Sequence, residues 1–569
     1  MMIITAILQM LRNGFVLSKT VIFIWGLVLS HALVNKGVVD VFADFLGDDD
    51  YNLWKTTMLV SFLDGLSAVL KVAVIHVSEA YIGRFMAIIF CTAAFIMGLV
   101  ILWIRASHPD IVTLVFAIVL IALGTAGKEP TLRDFFDYQL SEKVKKKCTE
   151  KNEGEDRESS QEKERSDKND SRTTNLWWSV ASVIGYVTAS LLLGSASWQE
   201  NFGLSSIVMG ATCLLFIIGI FCFSLEKPSE SPLTIIYRVF KAAIKKRKLP
   251  YPSSKQGYNN EGLDGLSEDL FYEKENGEVH LLPRHPSFLL FLDRAAMMNN
   301  SDGEERVVKE EVCAVVQVRD VKNFYLVLPL GITLFAYSLV SASGNTYFVL
   351  QASNLGSYSI GGFYIPIMVF FAIKSLVTFV VRIIQSRYTV VRPLWSMGVG
   401  MFCSVICSIA AWQVECRRLS LIRFLKKPED EIPISIMILT PQYVLLGLME
   451  GFAEGGLEDF LSDRLYSESM KNFAGPCIEM LLGIGKFSSI LFALVFHMWI
   501  KDAINRSRLD KYFLLLASLS FVYLGIYIFY AKFKFQRPQF VFPAETIQET
   551  ITERMDELLP VQVDILIDS

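Results

Sequence analysis

An all-α membrane protein, with about twelve transmembrane helices in two blocks of six, is the fold class that three features of this chain predict. First, its 569 residues are 52% hydrophobic and only 20% charged, where soluble chains average about a quarter charged, and its mean hydropathy is +0.40. Second, apolar windows with few charges recur at roughly 20 residues, the length that crosses a hydrocarbon core about 30 Å thick. Third, these windows fall into two groups separated by a charged stretch over 225–322. Only helices and closed barrels satisfy their backbone polar groups in lipid, and continuous apolar runs exclude the alternation of a barrel strand.

Spans one to six are placed at 21–42, 55–77, 85–104, 111–127, 176–195 and 204–224, and spans seven to twelve at 323–343, 361–383, 390–412, 434–453, 477–499 and 512–531. The first 17 residues lack the apolar run and small-residue cleavage site of a signal peptide, so span one is its own insertion signal. The domain reading is a cytosolic N-terminus (1–20), a six-helix bundle (21–224), a central cytosolic loop (225–322), a second six-helix bundle (323–531) and an acidic cytosolic tail (532–569) without a lipidation signal.

Lys and Arg mark cytoplasmic loops. The connections after spans two, four and six carry Arg84, Lys143 with Lys145–Lys147, and Lys241 with Lys245–Lys248, whereas the odd-numbered ones include Asp48-Asp49-Asp50 and the nearly uncharged 345–359. Both termini are therefore expected in the cytosol, with plasma and vacuolar membrane both open. Two connections oppose this: Arg417, Arg418, Arg423, Lys426 and Lys427 follow span nine, and Lys501, Arg506 and Arg508 follow span eleven.

Segment 141–172 mixes acids and bases with Ser, Asn and Gly and has no apolar periodicity, so it is read as disordered. Segment 232–248 instead sets apolar residues on one helical face and bases on the other. Two placements are open: the helix lies on the anionic inner leaflet, or it packs on the cytoplasmic ends of the bundle. The nine cysteines are scattered, mostly inside spans (Cys91, Cys213, Cys222, Cys403, Cys407), without disulfide or metal spacing. No Walker A, His-Glu-x-x-His or Gly-x-Ser-x-Gly string occurs, so no catalytic residue, metal ligand or cofactor is assigned, and nucleic acid is not an expected partner.

A collinear series of short strings resembles the plant nitrate and peptide transporter family, a branch of the proton-dependent oligopeptide transporters, over nearly the whole chain. Ser78-Glu-Ala-Tyr-Ile-Gly-Arg84 is similar to the family's Ala-Asp-Ser-Tyr-Leu-Gly-Arg, and Leu123-Gly-Thr-Ala-Gly-Lys-Glu-Pro130 with Phe135-Phe-Asp-Tyr-Gln139 to its Gly-Gly-x-Lys-Pro and Phe-Gly-Ala-Asp-Gln. Trp177-Trp178, Lys227-Pro-Ser-Glu-Ser-Pro-Leu233, Phe291-Leu-Asp-Arg-Ala-Ala296, Val315-Val-Gln-Val318, Ile365-Pro366, Pro441-Gln-Tyr443, Glu450-Gly-Phe452 and Leu509-Asp-Lys-Tyr512 follow in family order. The resemblance implies the major facilitator fold, two six-helix bundles around a cavity that opens alternately to either side.

An ionisable side chain at bilayer depth costs about 2.5 kcal/mol or more, which makes each one a functional candidate. His31, Asn35, Lys36, Asp64, Lys71, Lys128, Glu129, Lys374, Glu450, Glu454, Glu479, Lys486 and His497 form the polar set of the spans. The resemblance implies a cavity lined by spans one, four, seven and ten, which singles out Asn35, Lys128, Glu129, Ser341, Ser343, Glu450 and Glu454, with His31 and Lys36 as further candidates. Glu450 with Lys128 or Lys36 is expected as an ion pair, either exchanging with solute or proton or permanently structural. Asp64 and Lys71 share a helical face and are read as structural partners of a neighbouring helix. His497 and Lys486 are read as snorkelling near a span end. Glu79, Arg84, Asp137 and Arg387 are gate or bundle-bracing candidates.

The chain departs from the family at its coupling device. The family's span-one Glu-x-x-Glu-Arg aligns, on Gly37, with Val28, His31 and Ala32, and Glu129 stands where the family has the lysine of Lys-Pro, with Lys128 about 100° round the helix. Proton coupling is therefore expected to be weak, absent or moved to His31, Glu129 or Glu450. His31 is open as a relay or as a packing residue. Two functions follow: a secondary carrier of a small nitrogen-containing solute such as nitrate, a short peptide or a similar organic anion, with protons as a candidate coupled ion, or a transport-incompetent sensor or scaffold of the same fold.

Overall fold

The computed structural model describes residues 19–48, 52–105, 110–140, 178, 180–181, 183–194, 196–225, 228, 230–248, 272–275, 278–281, 287–296, 313–355, 366–387, 392–425 and 434–535. The expected disordered segment 141–172 and residues 536–569 of the acidic tail lie outside them, as do the side chains of Glu129 and Arg387.

Among the described residues nine helices are long and apolar enough to cross a membrane: Ile22–Gly47, Leu53–Ile82, Arg84–Arg105, Trp198–Cys222, Met368–Gln385, Pro393–Phe424, Ile436–Ser462, Ser469–Val495 and Leu509–Phe533. A tenth crossing is a pair, Val316–Thr333 and Phe335–Asn354, bent by 60°. The two shorter apolar helices, Ile111–Gly127 and Val183–Leu192, stand at the places expected for spans four and five. Span seven was expected as one straight run; it breaks at Leu334, whose N–H closes a tight turn on the Gly331 carbonyl before the helix resumes.

Spans two and three meet at Gly83, whose φ of 80° lies in the left-handed region open to glycine, so the chain reverses there without a loop. In the first half span three runs along span four, span two also touches span four, and spans one and three touch span six. In the second half span nine packs on spans ten and twelve, span eight on span ten, and span seven on span eleven. Spans three and four approach closely because small residues face each other: a methyl on Gly124 would come 2.3 Å from the Phe95 Cβ, and one on Gly127 2.3 Å from the Cys91 Cβ.

The halves touch along spans two and eleven. There the Ser489 hydroxyl donates to Ser61 Oγ at 2.6 Å, Gly65 leaves room for the Phe487 ring, and Gly483 faces Ala68. The helix Phe42–Asp48, which extends span one, also touches Tyr347–Asn354 at the far end of span seven.

The described residues of the central stretch are mainly helical. Helix Pro232–Lys245 packs on the ten-residue, kinked 3-10 segment Ser287–Ala296 and on the start of span seven, burying Val239, Ala242, Ala243, Leu292, Val318 and Val321. A buried Asp293–Lys322 ion pair pins that segment to span seven. Tyr272–Glu275 and Glu278–Leu281 form a small antiparallel ribbon, a local exception to the all-α expectation. Span nine extends to Leu425, so Arg417, Arg418 and Arg423 lie on a helix and not in a loop. Arg418 is fully buried, donates to both Glu415 carboxylate oxygens at 2.7 and 3.0 Å, and also reaches Asn354 and the Ile504 carbonyl.

Candidate functional site

Among the described residues four spans contain a π-helical turn, and each turn holds expected candidates: Asn35–Val39 in span one, Ser78–Ile82 in span two, Lys128–Leu132 in span four and Glu450–Glu454 in span ten. A π turn inserts one extra residue into the helix, re-aims the side chains around it, and recurs at functional sites. Asn35, Lys36, Lys128, Glu450 and Glu454 therefore sit where their spans depart from regular helix. No periodicity signal announces such turns.

On spans one, five, eight and ten a charged cluster forms. Lys36 Nζ lies 3.2 Å from Asp40, the Tyr186 hydroxyl donates to Asp40 at 2.9 Å, and Lys36 stands 4.8 Å above the Tyr186 ring. Across from it Lys374 Nζ lies 3.1 Å from Glu450, and it is within electrostatic reach of Asp40 and Tyr186. The partner of Glu450 is thus Lys374 and not Lys128 or Lys36 as expected, because span eight packs on span ten and brings Lys374 to the π turn. These groups are not sealed: Lys36 and Asp40 keep about a fifth of their side-chain surface accessible and Glu450 30%.

A second cluster joins the halves. Asp64 of span two accepts from Asn345 of span seven at 2.7 Å and lies 4.0 Å from Lys486 of span eleven, while Lys71 pairs with Glu479. The expectation of partners on a neighbouring helix for Asp64 and Lys71 is met. Lys486, expected to snorkel, instead turns inward to Asp64; His497 is exposed beyond span eleven, its ring 3.0 Å from the Leu494 carbonyl. Glu454 accepts from the Tyr337 hydroxyl at 2.9 Å.

His31 is buried, its Nε2 3.3 Å from Thr92 Oγ1, and its ring stacks on Phe95 at 5.6 Å. Its Nδ1 is buried without a hydrogen-bond partner among the described residues. Lys128 is buried with its ammonium 5.9 Å from the Trp178 ring centroid. The Asn35 side-chain carbonyl is likewise buried with no partner among the described residues. Ser343 donates to its own helix at Leu339, and Ser341 is half-buried.

Of the bracing candidates, Glu79 and Arg84 form an ion pair at 3.1 Å across the Gly83 reversal. Asp134, one turn before Asp137, joins this group electrostatically: burial pushes its carboxyl up to about 7, Arg84 lowers it and Glu79 raises it. Sequence reading missed Asp40, Tyr186, Tyr337 and Asp134 and gave Lys374 no role. Only Asp40 carried a local signal, its i,i+4 spacing from Lys36. Among the described residues no His, Cys, Asp and Glu group is suited to a metal ion. Chemically, this arrangement presents paired charges of both signs to a partly accessible interior, which suits binding and exchange of a charged solute.

A series of long apolar helices, packed along spans two and eleven and carrying partly accessible ion pairs between them, fits a membrane transporter of the major facilitator fold. The model of the POT family matches residues 85–503, and the chain belongs to that family. It is 25% identical to "Protein NRT1/ PTR FAMILY 5.6" of Arabidopsis thaliana over 83% of each chain, and 24% identical to "Protein NRT1/ PTR FAMILY 5.4" of the same plant over 82% of this chain and 85% of that one. Its structure is similar to that of an auto-inhibited POT family peptide transporter (TM-score 0.62, 13% identity, 93% of this chain and 99% of the other). It is also similar to the POT family transporter PepTSo (TM-score 0.60, 12% identity, 90% and 97%).

Proposed function

We propose that the protein is a secondary carrier that moves a small nitrogen-containing solute (nitrate, a short peptide or a similar organic anion) by alternating access between bundles 21–224 and 323–531. The observation that carries this reading is the Lys374–Glu450 pair, partly accessible and within electrostatic reach of Asp40 and Tyr186 of the other half. Two cations and two carboxylates opposed across the halves provide a binding partner for an anion or for both ends of a zwitterion, and the solute can replace either intramolecular pair. Names of relatives that combine nitrate and peptide transport support the same solute range.

Val28, His31 and Ala32 supply no carboxylate at the places where the family's coupling triad aligns. Proton coupling is accordingly weak, absent, or moved to His31, Glu129 or Glu450. Both termini are cytosolic in this reading, with helix 232–245 on the cytoplasmic side. The central loop (225–322) joins the bundles, and the plasma and vacuolar membranes are equally compatible.

Uptake of labelled nitrate, dipeptides and small organic anions into proteoliposomes, with and without an inward pH gradient, tests the reading. We expect uptake of at least one class with little gradient dependence, and a loss of about tenfold or more in Glu450→Gln or Lys374→Gln. Absence of uptake across the panel would leave the family fold serving as a sensor or scaffold. Strong gradient dependence that persists in Glu450→Gln would remove Glu450 as the coupling group.

A further inference from the structure

Helix Pro232–Lys245 answers one question left open by the sequence and raises another. Its apolar face is occupied: Ile235 is buried, and Val239, Ala242 and Ala243 are buried against the segment Ser287–Ala296 and the start of span seven. The amphipathic pattern of 232–248 therefore does not need a membrane to explain it. The opposite face is what remains. Tyr237 is 66% exposed and Ile244 59%, and both share a stripe with exposed Lys241 and Lys245 at spacings of three and four residues, while exposed Lys248 lies in the turn that follows. The stretch 232–248 contains six bases and no acid. Glu230, the nearby carboxylate, is held by Arg238, which also reaches Gln317 at 3.1 Å.

The height of this helix is set by two contacts. At its start Ser231 Oγ lies 2.8 Å from His76 Nδ1, near the end of span two, and at its second turn Arg238 holds Gln317 at the beginning of span seven. Both are residues where an apolar span gives way to a polar segment, so the helix sits at the level of the bilayer interface. We infer that the stripe Tyr237, Lys241, Ile244 and Lys245, with Lys248 in the turn after it, is a docking surface for anionic lipid headgroups. An aromatic and a branched aliphatic side chain enter the headgroup boundary while the lysines meet lipid phosphates and carboxylates, which is the composition of interfacial helices. An acidic protein segment would satisfy the lysines but gives no reason for an exposed Tyr and Ile among them, and it would not need the helix at interface height.

The test uses the full-length protein in nanodiscs of phosphatidylcholine alone or of phosphatidylcholine with phosphatidylserine, read by hydrogen exchange over 232–248. Both leaflets have one composition, so neither membrane orientation nor transport enters the result. Exchange is expected to slow about tenfold when phosphatidylserine is present. The Lys241→Gln/Lys245→Gln/Lys248→Gln variant should lose that protection, and the same three positions changed to Arg should keep it. Equal protection in both lipids would overturn the assignment and point to the chain's own acidic tail or another protein segment. Lipid-dependent protection that survives in the Gln variant would equally overturn the role of the stripe.

Discussion

Asp134 is half-buried at the foot of span four, and its carboxyl titrates near 7 in the folded protein against 3.8 ordinarily, burial being the main cause. A folded state that binds a proton more tightly than the unfolded chain gains stability below the ordinary value and loses it as pH rises through the folded one. Melting curves of purified protein should therefore show wild type losing stability between pH 5 and 7.5 relative to Asp134→Asn. The difference is on the order of 1–2 kcal/mol after allowance for partial solvent access, and parallel pH profiles would refute it. At the other extreme of burial stands Arg418, whose guanidinium is saturated by Glu415, Asn354, Asn505 and a carbonyl. Removing one partner of a buried pair strands the other charge, so Glu415→Gln should cost roughly 3–5 kcal/mol, read as a lower unfolding temperature in detergent. The ionisable residues themselves were legible as a list, because charge inside an apolar run stands out. Their pairings were not, since Lys71 meets Glu479 and Lys374 meets Glu450 only after distant spans have packed.

Spans are the most legible elements, because a continuous apolar run of sufficient length needs no tertiary context to be recognised. Span four was read at its observed bounds, Ile111–Gly127. Span seven resisted that reading because its 60° bend changes direction without interrupting hydropathy. The π turns resisted it for another reason: one inserted residue alters which face a side chain occupies and leaves composition untouched. Helix approach is where small residues matter most, and the Gly124–Phe95 and Gly127–Cys91 contacts between spans three and four leave no space for a side chain. Gly124→Leu should wedge these spans apart, at about 1–3 kcal/mol, and lower both the unfolding temperature and the monodisperse fraction on size exclusion. Unchanged behaviour would mean that span three relaxes freely away from span four.

For the molecule as a whole, two blocks of six spans were legible from the spacing of apolar runs, whereas the way the blocks meet was not. Residue patterning gave opposing orientation signals after spans nine and eleven. Part of that conflict dissolves in three dimensions, because Arg418 is neutralised inside the protein and does not count as a loop charge. The seam between the halves has a mechanical consequence. Gly65 lies under the Phe487 ring, a methyl on Gly483 would come 2.4 Å from the Ala68 Cβ, and Ser61 and Ser489 are bonded a turn away. Sliding span two along span eleven by even part of a turn would drive side chains into backbone, while tilting one helix about this crossing leaves the glycine contacts in place. For the carrier proposed above, the seam would act as a fulcrum: the close glycine contacts oppose translation and tolerate rotation, and would set the axis about which either mouth opens.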